Sequence, residues 1–402
     1  MQPDEAGEIL AVVAEGLGCG IRSHRLIGEH ISGDGLVSGH EVVLLAPDGT
    51  ASTQVIYLES RPTSQPREGV LVLRDDATGD EVAVWLYPQD PALPALPTVV
   101  YSDAAAVLLD RLGLDAAGLR LDVVAYRPGR RAVVRAETNA TVRFLKVVPP
   151  EKVQGLNALY ALWRDHGIAV PETLGWTDSG MIAFAHARGT PVPDAIGTVA
   201  REAEGFLAAV ERLCVDAAAI PSSGPARQSL ARRIRWYARR LSAEAPELAG
   251  QIDAARSDID ALLADHPAGP PVTVHGDLHI GQLFIDPTSP AHITSVLDID
   301  TGGHGDPADD AAAFYAHLLV TALMHRDNRD DAQETAALEL AEAWRERWPG
   351  HSLSGPQAHS FVARVRAIAA THLLAHALGT PTHRRELVER ARRLVEPAQH
   401  GR

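Results

Sequence analysis

From His40 to Tyr87 the chain alternates short apolar runs with turn residues: EVVLLA enters PDGT, TQVIYLE follows, then GVLVLR, DDATGD and EVAVWLY. β-branched and aromatic runs bounded by Asp, Gly and Pro predict a β-meander. QDPALPALPT breaks this pattern, and SDAAAVLLDRL (Ser102 to Leu112) resumes with helical spacing, an N-cap serine and a stop at Gly113, so a boundary falls near residue 100. LRLDVVAYRPGRRAVVRAETNATVRFLKVVPP reads as three more strands broken by RPGR and ETNAT. A helix is predicted over Val153 to His166, closed by Gly167; VPETLGWTD, a short strand MIAFAHA and the linker GTPVPDA come next. From about Thr198 onward the spacing is mostly helical, interrupted by one β-like island from Val272 to Asp300, and PSSGPA at Pro221 reads as an ordinary interhelix loop. Strands early and helices late predict an α+β protein of two lobes rather than a doubly wound sheet, with segments 1–100, 101–190 and 191–402.

Composition narrows the partners. With 37 basic and 52 acidic side chains the net charge is −15, which argues against a grip on the nucleic-acid backbone but not against a small anionic ligand held locally. Two cysteines, Cys19 and Cys214, cannot form a disulfide framework and show no CxxC spacing. The first ten residues carry acids rather than a basic region before an apolar run, and no stretch approaches a membrane span, the best candidate around Ala311 to Met324 being interrupted by His317. A cytoplasmic protein without nucleic-acid or membrane partners is expected; oligomeric state is open. Lys146 and Lys152 are the only lysines among 37 basic residues, so a lysine marks a place where a compact ammonium serves better than a guanidinium.

The island carries the candidate chemistry. VTVHGDLHIGQLFID and ITSVLDIDTGGHGDPADD place His275, Asp277, His279, Gln282, Asp298, Asp300, His304 and Asp306 within about 32 residues, at the ends of apolar runs. Asp298, Asp300 and the Gln282 amide are hard oxygen donors suited to Mg2+, and Asp277, held off the metal, could accept a proton from an attacking hydroxyl. Lys146 in RFLKVV, with Leu145 and Val147 on the other face of its strand, could meet nucleotide phosphates. The rival chemistry is a two-metal hydrolase, for which HxDxH is also suited. Both need a metal; only the first needs Lys146.

HGDLHIGQ followed by LDIDTGGHGDPADD resembles the catalytic and metal loops of the aminoglycoside phosphotransferase and choline kinase group, HGDxHxxN and then IDF or IDW with GDPxxD. Asp298 stands eight positions before Asp306 and twelve before Asp310, as in that group. The resemblance covers about residues 100 to 400. It implies a bilobal protein-kinase-like fold with a small sheet-containing N-lobe and a mostly helical C-lobe, binding ATP and Mg2+. It makes Asp277 the catalytic base, Gln282 and Asp298 the metal ligands, Asp300 a second metal or substrate contact, and Lys146 the α/β-phosphate ligand. His275 and His279 would shape the catalytic loop, with Asp306 and Asp310 supporting it. Backbone groups from Phe184 through Ala185 and His186 to Ala187 would form the hinge facing adenine, and Gly129 in RPGR a phosphate-cradling turn.

Two departures refine this. Gln282 replaces the usual asparagine, and HGDxHxGQ is similar to the loop of actinobacterial maltokinases and related glucosamine kinases, which carry a β-rich cap before the kinase lobes; residues 1–100 supply such a segment. The helix after Lys146, VQGLNALYALWRDHG, lacks the glutamate that holds this lysine in active kinases, leaving Glu151 or Asp165. The acceptor is expected to be a small-molecule hydroxyl, on a sugar or amino sugar, with Glu342 and Trp344 of a late helix as candidate contacts. An antibiotic acceptor such as an aminoglycoside, and a catalytically silent nucleotide-binding module, are the alternatives within the fold. The arginines between Arg232 and Arg240 are expected to be a solvated helix face.

Overall fold

The computed structural model describes residues 3–32, 35–60, 69–75, 78–222, 224–348 and 356–396; Asp76 and Ala77 of the DDATGD turn and Ser223 of PSSGPA lie outside them. The chain forms two compact units, Met1–Ala158 with Glu172–His186, and Leu159–Pro171 with Ala187–Arg402. Strands dominate the first and helices the second, so the molecule is α+β.

The first unit opens with helix α1 (Pro3–Gly16) and strands β1 (Gly20–Ser32), β2 (Gly35–Leu45), β3 (Ala51–Ser60), β4 (Val70–Arg74) and β5 (Glu81–Leu86), which form an antiparallel sheet in the order β1-β2-β3-β5-β4. Ala6, Leu10, Val13 and Ala14 lie on one face of α1 and pack on Val42, Leu44, Ile56, Leu58 and Val84. Full burial of a side chain such as Leu10 is worth roughly 1.5–3 kcal/mol. Short helices α2 (Leu96–Val100) and α3 (Ser102–Arg111) follow. Ser102 is the first residue of α3 rather than its cap; Tyr101 holds the cap position without a side-chain bond.

The second sheet has strands β6 (Arg120–Arg127), β7 (Arg131–Glu137) and β8 (Val142–Val147), then helix α4 (Pro150–Asp165) and strands β9 (Thr173–Trp176) and β10 (Met181–Ala185), in the order β6-β7-β8-β10-β9. Alternation sorts its faces: Ala132, Val134 and Ala136 of β7 and Leu145 and Val147 of β8 enter the core with Met181 and Ala183. The two sheets are joined by aromatic contacts. Tyr57 stacks on Trp85 with ring centroids 5.6 Å apart, and Tyr126 of β6 sets its edge against Tyr57 at 5.6 Å. Asp90, in the proline-rich break, completes the joint: one carboxylate oxygen accepts from the Tyr126 hydroxyl at 2.8 Å and from the Gly129 N–H at 2.7 Å. Burial raises the Asp90 carboxyl and these donors oppose the shift.

The second unit holds strand β11 (Thr190–Pro191) and helices α5 (Ile196–Arg201), α6 (Ala203–Ala218), α7 (Ile234–Glu244) and α8 (Ala249–Asp265). Strands β12 (Val272–Val274), β13 (Leu283–Asp286), β14 (Ser289–Val296) and β15 (Gly303–Gly305) are followed by helices α9 (Pro307–Asp327), α10 (Asp331–Arg347), α11 (Pro356–Gly379) and α12 (Arg384–Val395). β11, β13 and β14 form one small sheet, β12 and β15 another. Helix α11 packs against α7, α8, α9 and α12. Its segment Gln357–Gly379 is long and apolar enough to cross a membrane, contrary to the expectation that no stretch qualifies, and 72% of its most apolar window is buried within the protein. An apolar helix surrounded by four others has the composition of a core helix.

Candidate active site

The acidic island folds as a β13–β14 hairpin inserted between strands β12 and β15, which pair with each other at its two ends. Antiparallel pairing of β12 with β15 aligns Val274 with Gly303, and Leu283 of β13 faces Val296 of β14. The Gln282 carbonyl accepts from the Leu297 N–H at 2.8 Å, so Gln282 and Asp298 emerge next to one another. Asp298 has left-handed backbone angles, φ 55° and ψ 38°. Asp tolerates this conformation better than most non-glycine residues, and such strain is concentrated where surrounding structure must aim a side chain. Beneath the loop, burial drives the Tyr160 phenol of α4 far above its ordinary range, and the nearby Asp300 and Asp298 carboxylates push the same way.

Asp310 organises the HGD segment. From the first turns of α9 its Oδ2 accepts from the His275 N–H at 2.7 Å, and its Oδ1 accepts from Gly276 at 2.8 Å and Leu278 at 3.4 Å. The carboxylate is buried, which raises its pKa, while the same N–H groups pull it back. His275 turns inward, Nε2–H donating to the Leu297 carbonyl at 2.8 Å and the ring meeting Trp163 edge-on at 6.2 Å. Thr301 Oγ1 donates to the His275 carbonyl at 2.9 Å. Gly276 has φ +80°, and a Cβ there would collide with the Thr301 carbonyl, so the turn requires glycine.

Asp277 is partly exposed beyond this clamp, and its Oδ2 accepts from Arg227 at 2.6 Å. Arg227 comes from the PSSGPA loop, which is not an ordinary connector. Its Pro225 bridges in parallel to His304, the Ala226 N–H donates to the His304 carbonyl at 3.0 Å, and the Arg227 N–H donates to the Thr301 carbonyl at 2.8 Å. The loop thus lies alongside β15 and aims a cation at the candidate base. Neither Arg227 nor Tyr160 has a sequence signal: one follows a Gly-Pro-Ala turn, the other sits on a helix where a tyrosine reads as core.

His279 caps a 3-10 turn through Nδ1, which accepts from the Gly281 N–H at 3.1 Å, and its Nε2 lies 3.1 Å from the Gln282 amide nitrogen. Burial lowers its pKa to about 4 despite the Asp277 charge. Asp306 is the N-cap of α9, accepting from the Ala308 N–H at 3.0 Å, and Arg364 of α11 grips both of its oxygens at 2.7 and 3.3 Å.

In the first unit, Lys146 lies on the middle strand of its sheet, opposite Val133 on one side and Ile182 on the other, and is buried at 5% exposure. Its neighbours Leu145 and Val147 belong to the core on the opposite face, so it is not an edge lysine trailing into solvent. Glu151 and Asp165 are both exposed. Phe184 and Ala187 are buried, Ala185 is half-buried, and exposed His186 stacks on Phe144 at 5.9 Å.

Two expectations are corrected. Trp344 is fully buried, donates its indole N–H to the Ala311 carbonyl at 2.9 Å and packs on Phe314; it is a core residue because a helix between two others turns its largest apolar group inward. Glu342 beside it pairs with Arg345. At Gly129 the N–H is taken by Asp90, so an internal carboxylate occupies the anion position of the RPGR turn.

Behind the HGD loop, Arg232, Arg235, Arg364, Asp306 and Asp309 line a cavity of about 830 Å³, so the arginines at 232 and 235 border a pocket rather than a simple solvated face. Asp309 Oδ1 is buried with no hydrogen-bond partner among the described residues. Burial pushes this carboxyl up to about 7; Ser229 and Arg232 oppose the shift, and the Asp306 and Asp310 charges add to it. The unfolded value is about 3.9, so the native state holds the proton more tightly, and the associated stability is present below pH ~4 and lost as pH rises through about 7. At about 1.4 kcal/mol per pH unit the ceiling is roughly 4 kcal/mol. Asp309→Asn, which cannot ionise, is therefore expected to melt higher than wild type at pH 8 and nearly level with it at pH 4. Parallel melting profiles of the two proteins across this range would refute the assignment.

No curated protein matches the chain. Among solved structures it is similar to a thermostable mutant of aminoglycoside phosphotransferase APH(4)-Ia in ternary complex with ADP and hygromycin B, at 15% identity over 73% of this chain and 98% of that one, with a TM-score of 0.47. It is also similar to aminoglycoside phosphotransferase APH(3'')-Id from Streptomyces rimosus, at 19% identity over 67% and 98%, with a TM-score of 0.41. The model of the phosphotransferase enzyme family matches residues 122–353, more than half of the chain, and spans β6 to α10 with the HGD and DID loops inside it. That match sets the hydrolase reading aside: the chain belongs to the phosphotransferase enzyme family and is a kinase-type phosphotransferase.

Proposed function

We propose that this enzyme transfers the γ-phosphate of ATP to a hydroxyl of a small molecule, a sugar or amino sugar, with Asp277 as the base. The observation that carries the reading is the Asp310 clamp, which fixes the backbone on both sides of Asp277 while Arg227 holds one of its oxygens. Oδ1 is then the atom that accepts the acceptor's hydroxyl proton. Arg227 keeps Asp277 oriented for that transfer, and a fixed base about 2.6–3.2 Å from the hydroxyl oxygen contributes typically about 10²–10⁴-fold.

Gln282, Asp298 and Asp300 present one amide and two carboxylates from adjoining turns, an all-oxygen donor set that fits Mg2+. When bound, the ion supplies neutralisation of charge on the phosphate oxygens. Lys146, a buried ammonium opposite the core face of its strand, is assigned to the α/β-phosphates, and the Phe184 to Ala187 backbone to adenine. Tyr160, whose phenolic oxygen meets the backbone at Ile299 and Asp298, holds the Asp298 turn in place, and His275, His279 and Asp306 brace the loop.

The test is ADP release over a panel of maltose, glucosamine, other sugars, choline and aminoglycosides, with and without MgCl2. Magnesium-dependent release with one acceptor class is expected, and release with aminoglycosides alone would reassign the acceptor. No release with any of them would leave the silent nucleotide-binding reading. For Asp298→Ala, nucleotide affinity measured calorimetrically is expected to fall about 10-fold or more in the presence of Mg2+ and to change little in its absence. Equal losses in both conditions would remove Asp298 from the metal.

A further inference from the structure

Three histidines that the phosphotransfer machinery does not use converge behind the catalytic loop. His372 and His376 are one helical turn apart on α11 and so share a face; His317 comes from α9, which packs against it. A ligating nitrogen from each of the three lies within 4.8 Å of the other two. The rings are set at angles around this point: His317 meets His376 edge-on at 4.8 Å and His372 at 6.4 Å, while its other face is stacked on His279 at 4.1 Å. His372 is 5% exposed, and among the described residues no protein hydrogen bond reaches a ring nitrogen of any of the three. Three imidazoles whose ligating nitrogens converge on one point and are not engaged by protein partners among the described residues present a ready donor set for a common guest.

The chemistry of that guest is constrained. Three imidazoles and no carboxylate in the triad form an all-nitrogen set of borderline softness, the opposite of the oxygen donors at Gln282, Asp298 and Asp300. Burial holds all three rings neutral, His372 at about 3 and the other two lowered as well, and neutral imidazole is the ligating form. Two charged groups face the cluster from the catalytic side: Asp277, which favours a cation near His376, and Arg227, whose charge is engaged by Asp277. We propose that His317, His372 and His376 form a binding site for a divalent transition-metal ion of the zinc class, with water as fourth ligand, distinct from the magnesium site. Metal–nitrogen bonds of about 2.0–2.1 Å place tetrahedral ligand nitrogens about 3.3 Å apart, so binding draws the three rings inward by rotation and ties α9 to α11 beneath His279.

The experiment uses the full chain without a polyhistidine tag, stripped with a chelator and titrated with Co2+ as a spectroscopic stand-in for zinc. One Co2+ per chain with the intense visible d–d bands of tetrahedral coordination is expected, displaced by equimolar Zn2+ and unaffected by excess Mg2+. His372→Gln and His376→Gln, each checked by circular dichroism and melting, are expected to lose the bands and weaken binding roughly 100-fold. The variant at the half-buried position 376 keeps the test decisive if the one at 372 does not fold. A weak octahedral spectrum, no uptake, or bands of equal intensity in folded variants would overturn the site; none of these outcomes depends on the enzyme's acceptor or turnover.

Discussion

Asp277→Asn is expected to lower kcat by about 10²–10⁴-fold, the usual contribution of a positioned base, while leaving nucleotide affinity and melting temperature close to wild type. The substitution keeps the shape of the side chain and keeps an oxygen available to Arg227, so neither the loop nor its packing has reason to change. What it removes is the negative charge and the acceptor for the hydroxyl proton. The loss should therefore fall on turnover rather than on KM for ATP, and steady-state kinetics with the acceptor found in the ADP-release panel separates the two. A variant of near-normal rate would take Asp277 out of the chemistry and leave the charge-paired carboxylate as a structural feature of the loop.

That Asp277 could be singled out at all follows from how its segment is built. HGDLHIGQ and DIDTGGHGDPADD are short, polar and bounded by apolar runs, and the turns they make are local, so residue types and spacing carry most of their geometry. The strands of the second sheet were legible for the same reason: alternation in RAVVRAE and the RPGR turn both act over a few residues. Long-range partners were not. Arg227 reaches Asp277 across 50 positions, and the pairing of its loop with His304 depends on β15 presenting an open edge. Asp90 meets Gly129 across 39 positions and displaces the phosphate-turn reading of that glycine. Helix α1 and strand β1 were missed for different reasons, the first because its apolar face is only four residues, the second because β1 is a largely exposed edge strand without the alternation of a half-buried one. Trp344 shows the limit of composition: an aromatic beside carboxylates on a helix looks the same in sequence whether it faces a ligand or the core, and burial decides for the core.

The second large effect should appear at Asp310, with the opposite signature. This carboxylate accepts from three backbone N–H groups that bracket Asp277 in sequence, at His275, Gly276 and Leu278. In Asp310→Ala those donors are left buried without partners, at about 1–3 kcal/mol each. In Asp310→Asn one acceptor oxygen becomes an amide nitrogen that points its own hydrogens at an N–H. Either change should cost about 3 kcal/mol or more, and at about 2–4 °C per kcal/mol for a unit of this size the melting transition should fall by roughly 6–12 °C. Turnover should fall as well, because a loop no longer anchored on either side of Asp277 cannot hold a base within the narrow range of positions that proton transfer demands. The pair of variants thus separates chemistry from scaffolding. Asp277→Asn loses rate at constant stability, whereas Asp310→Asn loses both together, and its residual activity should recover partly on cooling as the loop regains its native position. An Asp310→Asn protein that melts with wild type would mean that the three N–H groups find other acceptors, and the clamp would then have no claim to position the base.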